Sequence, residues 1–171
     1  MWIAMFSQTG SEIVNLSNRL EVDPDVIISN NTDVDSWHPD IRKSSGAVMW
    51  GKHDSLMNTL SYIEPAFITL HGYLRILPEN VCQYHEIYNG HPGDIILHPE
   101  LKGKDPQKKA FDLKLASTGV VLHRVIPEVD CGDIVKAQQH VITETSEEEL
   151  TSSLKKLQLE LWYEFLKDKV G

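Results

Sequence analysis

The segment Ile87-Tyr88-Asn89-Gly90-His91-Pro92-Gly93 and, farther along, Val129-Asp130-Cys131-Gly132-Asp133 place an amide, an imidazole and a carboxylate in turn-like stretches entered from strand-like residues. A side chain at the end of a strand is held by the sheet, and a neighbouring Gly or Pro lets the backbone bend sharply around it. Those groups suit polar catalysis. Asparagine donates to a developing oxyanion, histidine carries a proton near neutral pH, and a carboxylate orients the imidazole or relays its proton. Alone, the Asn-x-His-Pro spacing is equally compatible with a loop whose polar side chains satisfy backbone groups. The elements around it must decide.

The chain has 171 residues, 41% of them hydrophobic, which is enough for one well-packed core and too little for two ordinary domains. A single domain over residues 1–171 is expected. A formal charge of −9 argues against a phosphate-tracking nucleic-acid binder, leaving only a local basic patch at Lys102, Lys104, Lys108 and Lys109. Cys82 and Cys131 show no C-x-x-C spacing, which fits a reducing compartment and no structural zinc. The start Met1-Trp2-Ile3-Ala4-Met5-Phe6 lacks the charged region of a secretory signal, and no apolar run approaches a membrane span. A cytoplasmic protein with no membrane partner and no metal is expected.

Trp2 to Phe6 reads as a strand buried on both faces, the habit of a parallel sheet. Thr9-Gly10-Ser11-Glu12 follows, with Ser11 as N-cap of a helix carrying Ile13, Val14, Leu16 and Leu20 on one stripe. Strand, Gly-containing turn and helix form an anion-binding arrangement, because the free amides and dipole of the helix start attract negative charge. Further strands are read at Asp25 to Asn30, Ala47 to Met49, Ala66 to Leu70 and Glu86 to Tyr88, with helices at His53 to Tyr62 and Pro78 to Val81 between them. Residues 31–46 read as irregular. This alternation specifies a doubly wound α/β sheet, whose ligands bind beyond the carboxyl ends of the strands. The turns after Phe6, Leu70 and Tyr88 then share one edge. Gly119 to Val125 and Ile134 to Ile142 add a hairpin, and Ser146 to Lys169 forms a long helix opened by a capping box.

The order Ser7-Gln8-Thr9-Gly10-Ser11, Gly72-Tyr73-Leu74-Arg75-Ile76-Leu77, Tyr88-Asn89-Gly90-His91-Pro92, Gly119-Val120-Val121-Leu122-His123 and Val129-Asp130-Cys131-Gly132-Asp133 resembles the folate-dependent formyltransferases over nearly the whole chain. The nearest well-known branch is the glycinamide ribonucleotide formyltransferases. The resemblance implies a formyltransferase-like, Rossmann-type fold and a mostly parallel sheet with helices on both faces. It implies Asn89, His91 and Asp130 as catalytic residues, and Arg75, Ile76, Leu77 and Asp130 as the site of the co-substrate 10-formyltetrahydrofolate. His123 matches a histidine found near the site in relatives. Its alternative is an ordinary strand histidine at the sheet edge. The implied partners are folate and a small amine, and the implied state is monomer or homodimer.

The acceptor side departs from that pattern. Thr9, Gly10, Ser11 and Glu12 are the implied substrate-binding turn, but Gly10-Ser11-Glu12 stands where the purine enzymes carry Gly-Ser-Asn to hold a substrate phosphate, and a carboxylate beside a phosphate is unfavourable unless it points away. The loop Ile96 to Pro106 also differs, offering Lys102 or Lys104 to an acceptor, and residues 47–56 lack an arginine for a phosphate. The acceptor is therefore glycinamide ribonucleotide in purine synthesis, an amino sugar attached to a nucleotide, or another primary amine. Water as acceptor gives a formyltetrahydrofolate deformylase, which the start directly at the first strand disfavours. A non-catalytic folate- or nucleotide-binding module is the alternative from another class. It does not require Asn89, His91 and Asp130 to converge. A metal hydrolase using His85, His91, Asp94 and His98 fits no familiar ligand spacing.

Overall fold

The computed structural model describes residues 1–171. Its centre is β1 (Trp2–Phe6), every residue of which is buried. Alternate side chains of β1 feed two separate cores. Trp2, Ala4 and Phe6 pack with Ile13 and Leu16 of α1 (Ser11–Leu20) and with Trp162 and Leu166 of α5 (Glu147–Val170). Ile3 and Met5 pack with Leu56 and Leu60 of α2 (His53–Leu60) and with Val81 of α3 (Glu79–Tyr84). A strand that must satisfy helices on both faces can carry no polar face, which explains its unbroken apolar run. Full burial of each such side chain contributes about 1.5–3 kcal/mol.

The remaining strands are β2 (Val26–Ser29), β3 (Ala47–Trp50), β4 (Phe67–Leu70), β5 (Ile87–His91), β6 (Ser117–Arg124) and β7 (Ile134–Val141). They form one seven-stranded sheet in the order β3-β2-β1-β4-β5-β6-β7. Pairing is parallel from β3 to β5, and β6 and β7 join antiparallel. The expected α/β, doubly wound, mostly parallel sheet with helices on both faces, a late hairpin and a long last helix is the observed fold. The strand order reverses where β1 meets β4, so a crevice opens there at the carboxyl ends. No helix is long and apolar enough to cross a membrane.

Several local expectations need correction. Gly10, at φ 74°, takes the N-cap position of α1, and Ser11 is the first helical residue. Residues 31–46 include short 3-10 turns at Val34–Ser36 and Pro39–Lys43. The helix α3 runs past Val81 to Tyr84, because Val81 and Cys82 are both drawn into the core. The helix α4 (Pro106–Asp112) was not anticipated, although Pro106 at its first position is a start signal. Ser146 caps α5 by accepting the Glu149 amide, but Glu149 reaches back to the Thr145 amide, one residue beyond a true capping box.

The most consequential correction concerns β5, which does not end at Tyr88. It continues through Asn89 and Gly90 to His91, because β6 supplies a full antiparallel ladder with Asn89 opposite His123 and His91 opposite Val121. Gly90 is a strand glycine, not a turn glycine. A Cβ there would lie 2.8 Å from Trp162 Nε1 and 2.9 Å from Gln158 Cδ, so its absence lets α5 press onto the strand.

Candidate active site

The carboxyl ends of β1, β4 and β5 open into a cleft of about 970 Å³, within the range of sites that hold cofactor-sized ligands. Its walls include Thr9, Gly10, Ser11 and Glu12 after β1, His71 to Leu77 after β4, Asn89 to Pro92 from β5, and Val125 to Asp130 after β6. The segments singled out in the sequence therefore do share one edge. Asn89 and His91, two residues apart on a strand, project to the same side.

Asp130 is the centre of the polar cluster. Its Oδ2 lies 3.4 Å from His91 Nδ1 and its Oδ1 lies 3.3 Å from His123 Nε2. Asn89 Nδ2 lies 3.3 Å from the same His123 nitrogen. The Gly103 amide donates to Asp130 Oδ2 at 2.8 Å. Asp130 has φ 54°, a left-handed backbone that Asp and Asn tolerate better than other side chains. The three expected catalytic residues converge, and His123 joins them. A module that merely binds does not require that convergence.

Backbone carbonyls fix the protons. His91 Nε2 faces the Leu101 carbonyl at 2.7 Å and His123 Nδ1 faces the Arg124 carbonyl at 2.9 Å, and a carbonyl can only accept. Each neutral ring therefore carries its hydrogen on that nitrogen and turns a lone pair toward Asp130. Asn89 donates to the lone pair of His123. The lone pair of His91 is left facing a carboxylate, an arrangement completed by one more proton. Burial holds the His91 imidazole below its ordinary range, against the upward pull of Asp130 and the Leu101 carbonyl. Burial would raise the Asp130 carboxyl, but the His123 ring, the His91 ring and the Gly103 amide that face the carboxylate hold it below the ordinary carboxylate range. At neutral pH the pair is thus an ionised carboxylate beside a neutral imidazole, ready to capture a proton.

This produces a signed pH dependence. Because the pKa of His91 is depressed, the neutral base persists below the ordinary imidazole range, near 6.5. The acid limb of a kcat/KM profile is expected below that point. Stability follows the same sign: the His91 contribution is full above the unfolded imidazole pKa and is lost as pH falls toward the lower folded value. A profile whose acid limb lies above pH ~7 contradicts this assignment of His91.

The other expected residues are placed as follows. Arg75, Ile76 and Leu77 line the cleft, Leu77 buried and Ile76 exposed beside Leu74. Ser7 anchors this wall by accepting the Leu74 amide. Thr9 Oγ1 accepts the Ser11 amide. Glu12 turns toward His71 and Gln158. Lys102 is a correction: its ammonium points to Cys131 Sγ at 3.5 Å, and from that loop Lys104 lines the cleft instead. Within the basic patch, Lys108 pairs with Asp112, and Lys109 donates to the Lys102 carbonyl. The residues proposed for a metal disperse, with His85 on the Leu60 carbonyl and Asp94 accepting the Ile96 and Leu97 amides. No group of His, Cys, Asp or Glu is arranged to hold a metal ion. Sequence reasoning missed His71 and Gln158. His71 had a signal, since it directly follows a strand as Ser7 does; Gln158 had none.

Comparison with known proteins agrees with this fold. Residues 47–166 match the family model described as formyl transferase. The methionyl-tRNA formyltransferase of Thermotoga neapolitana is 32% identical over 111 residues, covering 63% of this chain and 34% of that protein. The chain thus spans about a third of the length of that curated relative. Among solved structures, the phosphoribosylglycinamide formyltransferase of Anaplasma phagocytophilum superposes with a TM-score of 0.84 at 23% identity, covering 97% of this chain and 84% of that one. The Campylobacter jejuni phosphoribosylglycinamide formyltransferase gives 0.84 at 19% identity, covering 99% and 97%. A formyltetrahydrofolate deformylase from Pseudomonas syringae gives 0.76 at 19% identity, covering 93% and 57%. Matched over most of its length by the family model and carrying the corresponding fold, the chain belongs to the formyl transferase family.

Proposed function

We propose that this protein, with residues 1–171 acting as one catalytic domain, transfers a formyl group from 10-formyltetrahydrofolate to a primary amine of a small molecule. One observation carries the proposal: the Asp130 carboxylate sits between His91 Nδ1 at 3.4 Å and His123 Nε2 at 3.3 Å, in a cleft of about 970 Å³. The donor's flat ring would lie on the wall from Tyr73 to Leu77, where Leu74 and Ile76 present exposed apolar side chains.

Each step follows from the proton inventory. The acceptor enters as an ammonium and must lose a proton to attack. His91 Nδ1, facing Asp130 with its lone pair, takes that proton, and Asp130 stabilises the resulting imidazolium. Attack on the formyl carbon places negative charge on its oxygen. Asn89 Nδ2, which uses one hydrogen on His123, has a second to donate to it, and the charge of the His91 imidazolium acts on it through space. Collapse of the tetrahedral species delivers the His91 proton to the leaving nitrogen of the folate, and the second proton lost by the attached amine passes to solvent, so neutral His91 is restored and one proton is released for each formyl group transferred. No residue forms a covalent bond.

The test is to supply 10-formyltetrahydrofolate with a panel of primary amines, glycinamide ribonucleotide and amino-sugar nucleotides included, and to follow tetrahydrofolate release. Amine-dependent release supports transfer. Release unchanged by every amine identifies a deformylase, and no release while wild type and His91→Ala bind folate equally identifies a binding module.

A further inference from the structure

A second histidine–carboxylate pair lies in the same cleft, built from β4 and α1 and separate from the cluster around Asp130. His71 has a fully buried side chain, and its ring lies 4.7 Å from that of Trp162. Its Nε2 is 2.8 Å from Thr69 Oγ1, and Trp2 Nε1 donates to the same hydroxyl at 2.8 Å. The hydroxyl accepts the indole hydrogen and meets His71 Nε2 on its other side. A carboxylate oxygen accepts, so His71 Nδ1 carries a hydrogen and donates it to Glu12 Oε1 at 2.8 Å.

Glu12 is held on its other side as well. Its second oxygen, Oε2, accepts from Gln158 Nε2 at 2.9 Å. His71 is its sole neighbour at ion-pair distance, so no lysine or arginine neutralises it. With its carboxylate held from both sides, Glu12 is preorganised, and 20% of its side chain is exposed toward the cleft that Asn15, Lys155 and Gln158 also line. Glu12 also lies in the first turn of α1, where its own negative charge already complements the helix dipole. An incoming phosphate meets a like charge there. Lys155 is exposed, and such an ammonium offsets little. The second lone pairs of the fixed carboxylate suit hydrogen-bond donors on a ligand.

We propose that Glu12 is the specificity-determining residue for the acceptor. With Asn15, it takes the hydroxyls of a sugar-like primary amine and excludes a phosphate from the start of α1. The inference rests on the formyl-transfer reading for the amine's role, and its test is independent of turnover. Binding of glucosamine and of glucosamine 6-phosphate is measured by calorimetry in the presence of tetrahydrofolate, on wild type, Glu12→Asn and Glu12→Gln. The Gln variant keeps an oxygen for His71 and guards against misfolding of the Asn variant. Wild type is expected to bind glucosamine at least ~10-fold more tightly than its phosphate, and both variants to shrink or reverse that ratio by about 10-fold or more. A wild-type preference for the phosphate, an unchanged ratio in both variants, or no binding of either amine overturns the proposal. Turnover with the amine panel is followed in parallel. Its complete absence defeats the formyl-transfer reading, while the binding ratio still decides the role of Glu12.

Discussion

Asp130→Asn is expected to lower kcat by about 10³-fold while leaving the fold intact, within the range that general acid–base groups supply. The substitution is well matched. Asparagine tolerates the φ of 54° as aspartate does. Its oxygen can occupy the Oδ2 position, where the Gly103 amide donates at 2.8 Å. Its amide nitrogen then faces the lone pair of His123 Nε2, now as a donor at the 3.3 Å position. What disappears is the charge. A proton captured on His91 Nδ1 is no longer stabilised, and removal of that upward pull drives the His91 imidazole further down, so the acid limb of the rate profile shifts to lower pH. Asn89→Ala, which removes one oxyanion donor, should cost about 10²–10³ without that shift. Steady-state kinetics over pH, with thermal unfolding as a control, reads both effects. A kcat for Asp130→Asn within fivefold of wild type removes Asp130 from the chemistry.

The sheet centre and the long helix were legible because local pattern and tertiary demand coincide there. The run Trp2 to Phe6 has no polar face and is flanked by helices on both sides, and Ser146 is a cap whose partner lies three residues away. The trio Asn89, His91 and Asp130 was legible as chemistry, but its setting was not. Asn-Gly-His reads as a turn because Gly and Asn favour turns. It becomes strand because β6, joined through a long connection, pairs with it residue by residue. His123 was recognisable only by resemblance. Its lone pair reaches Asp130 through the carbonyl of Arg124 on one side and an irregular β6–β7 register on the other, and neither is written in local sequence. Glu12 stood out as an odd residue in an anion-binding turn, yet its destination depends on Gln158, 146 residues away. Lys102 and Lys104 differ by one turn of loop backbone, and only the fold decides which faces the cleft.

Gly132→Ala is expected to reduce kcat/KM by roughly 10²-fold and stability by about 1–3 kcal/mol, although residue 132 touches no ligand. A Cβ at this position would lie 1.7 Å from the Arg124 carbonyl oxygen and 2.7 Å from its carbon, so the backbone of β6 or of the Asp130 turn has to move. That carbonyl is the group that accepts from His123 Nδ1 at 2.9 Å. Pushing it aside releases the ring whose other nitrogen faces Asp130 and Asn89. The same shift strains the Arg124 amide, which donates to the Asp133 carbonyl at 2.8 Å and closes the turn carrying Asp130. One methyl group thus disturbs both sides of the carboxylate. Cys131→Ala, next door on an exposed side chain, has no such clash and serves as the comparison. If Gly132→Ala loses stability but keeps wild-type kcat/KM at a temperature where it is folded, the Arg124 carbonyl does not set the geometry of the catalytic cluster. If activity falls while His123→Ala in the same background adds no further loss, the two substitutions act through one path, from the Gly132 backbone to Arg124, to His123, to Asp130.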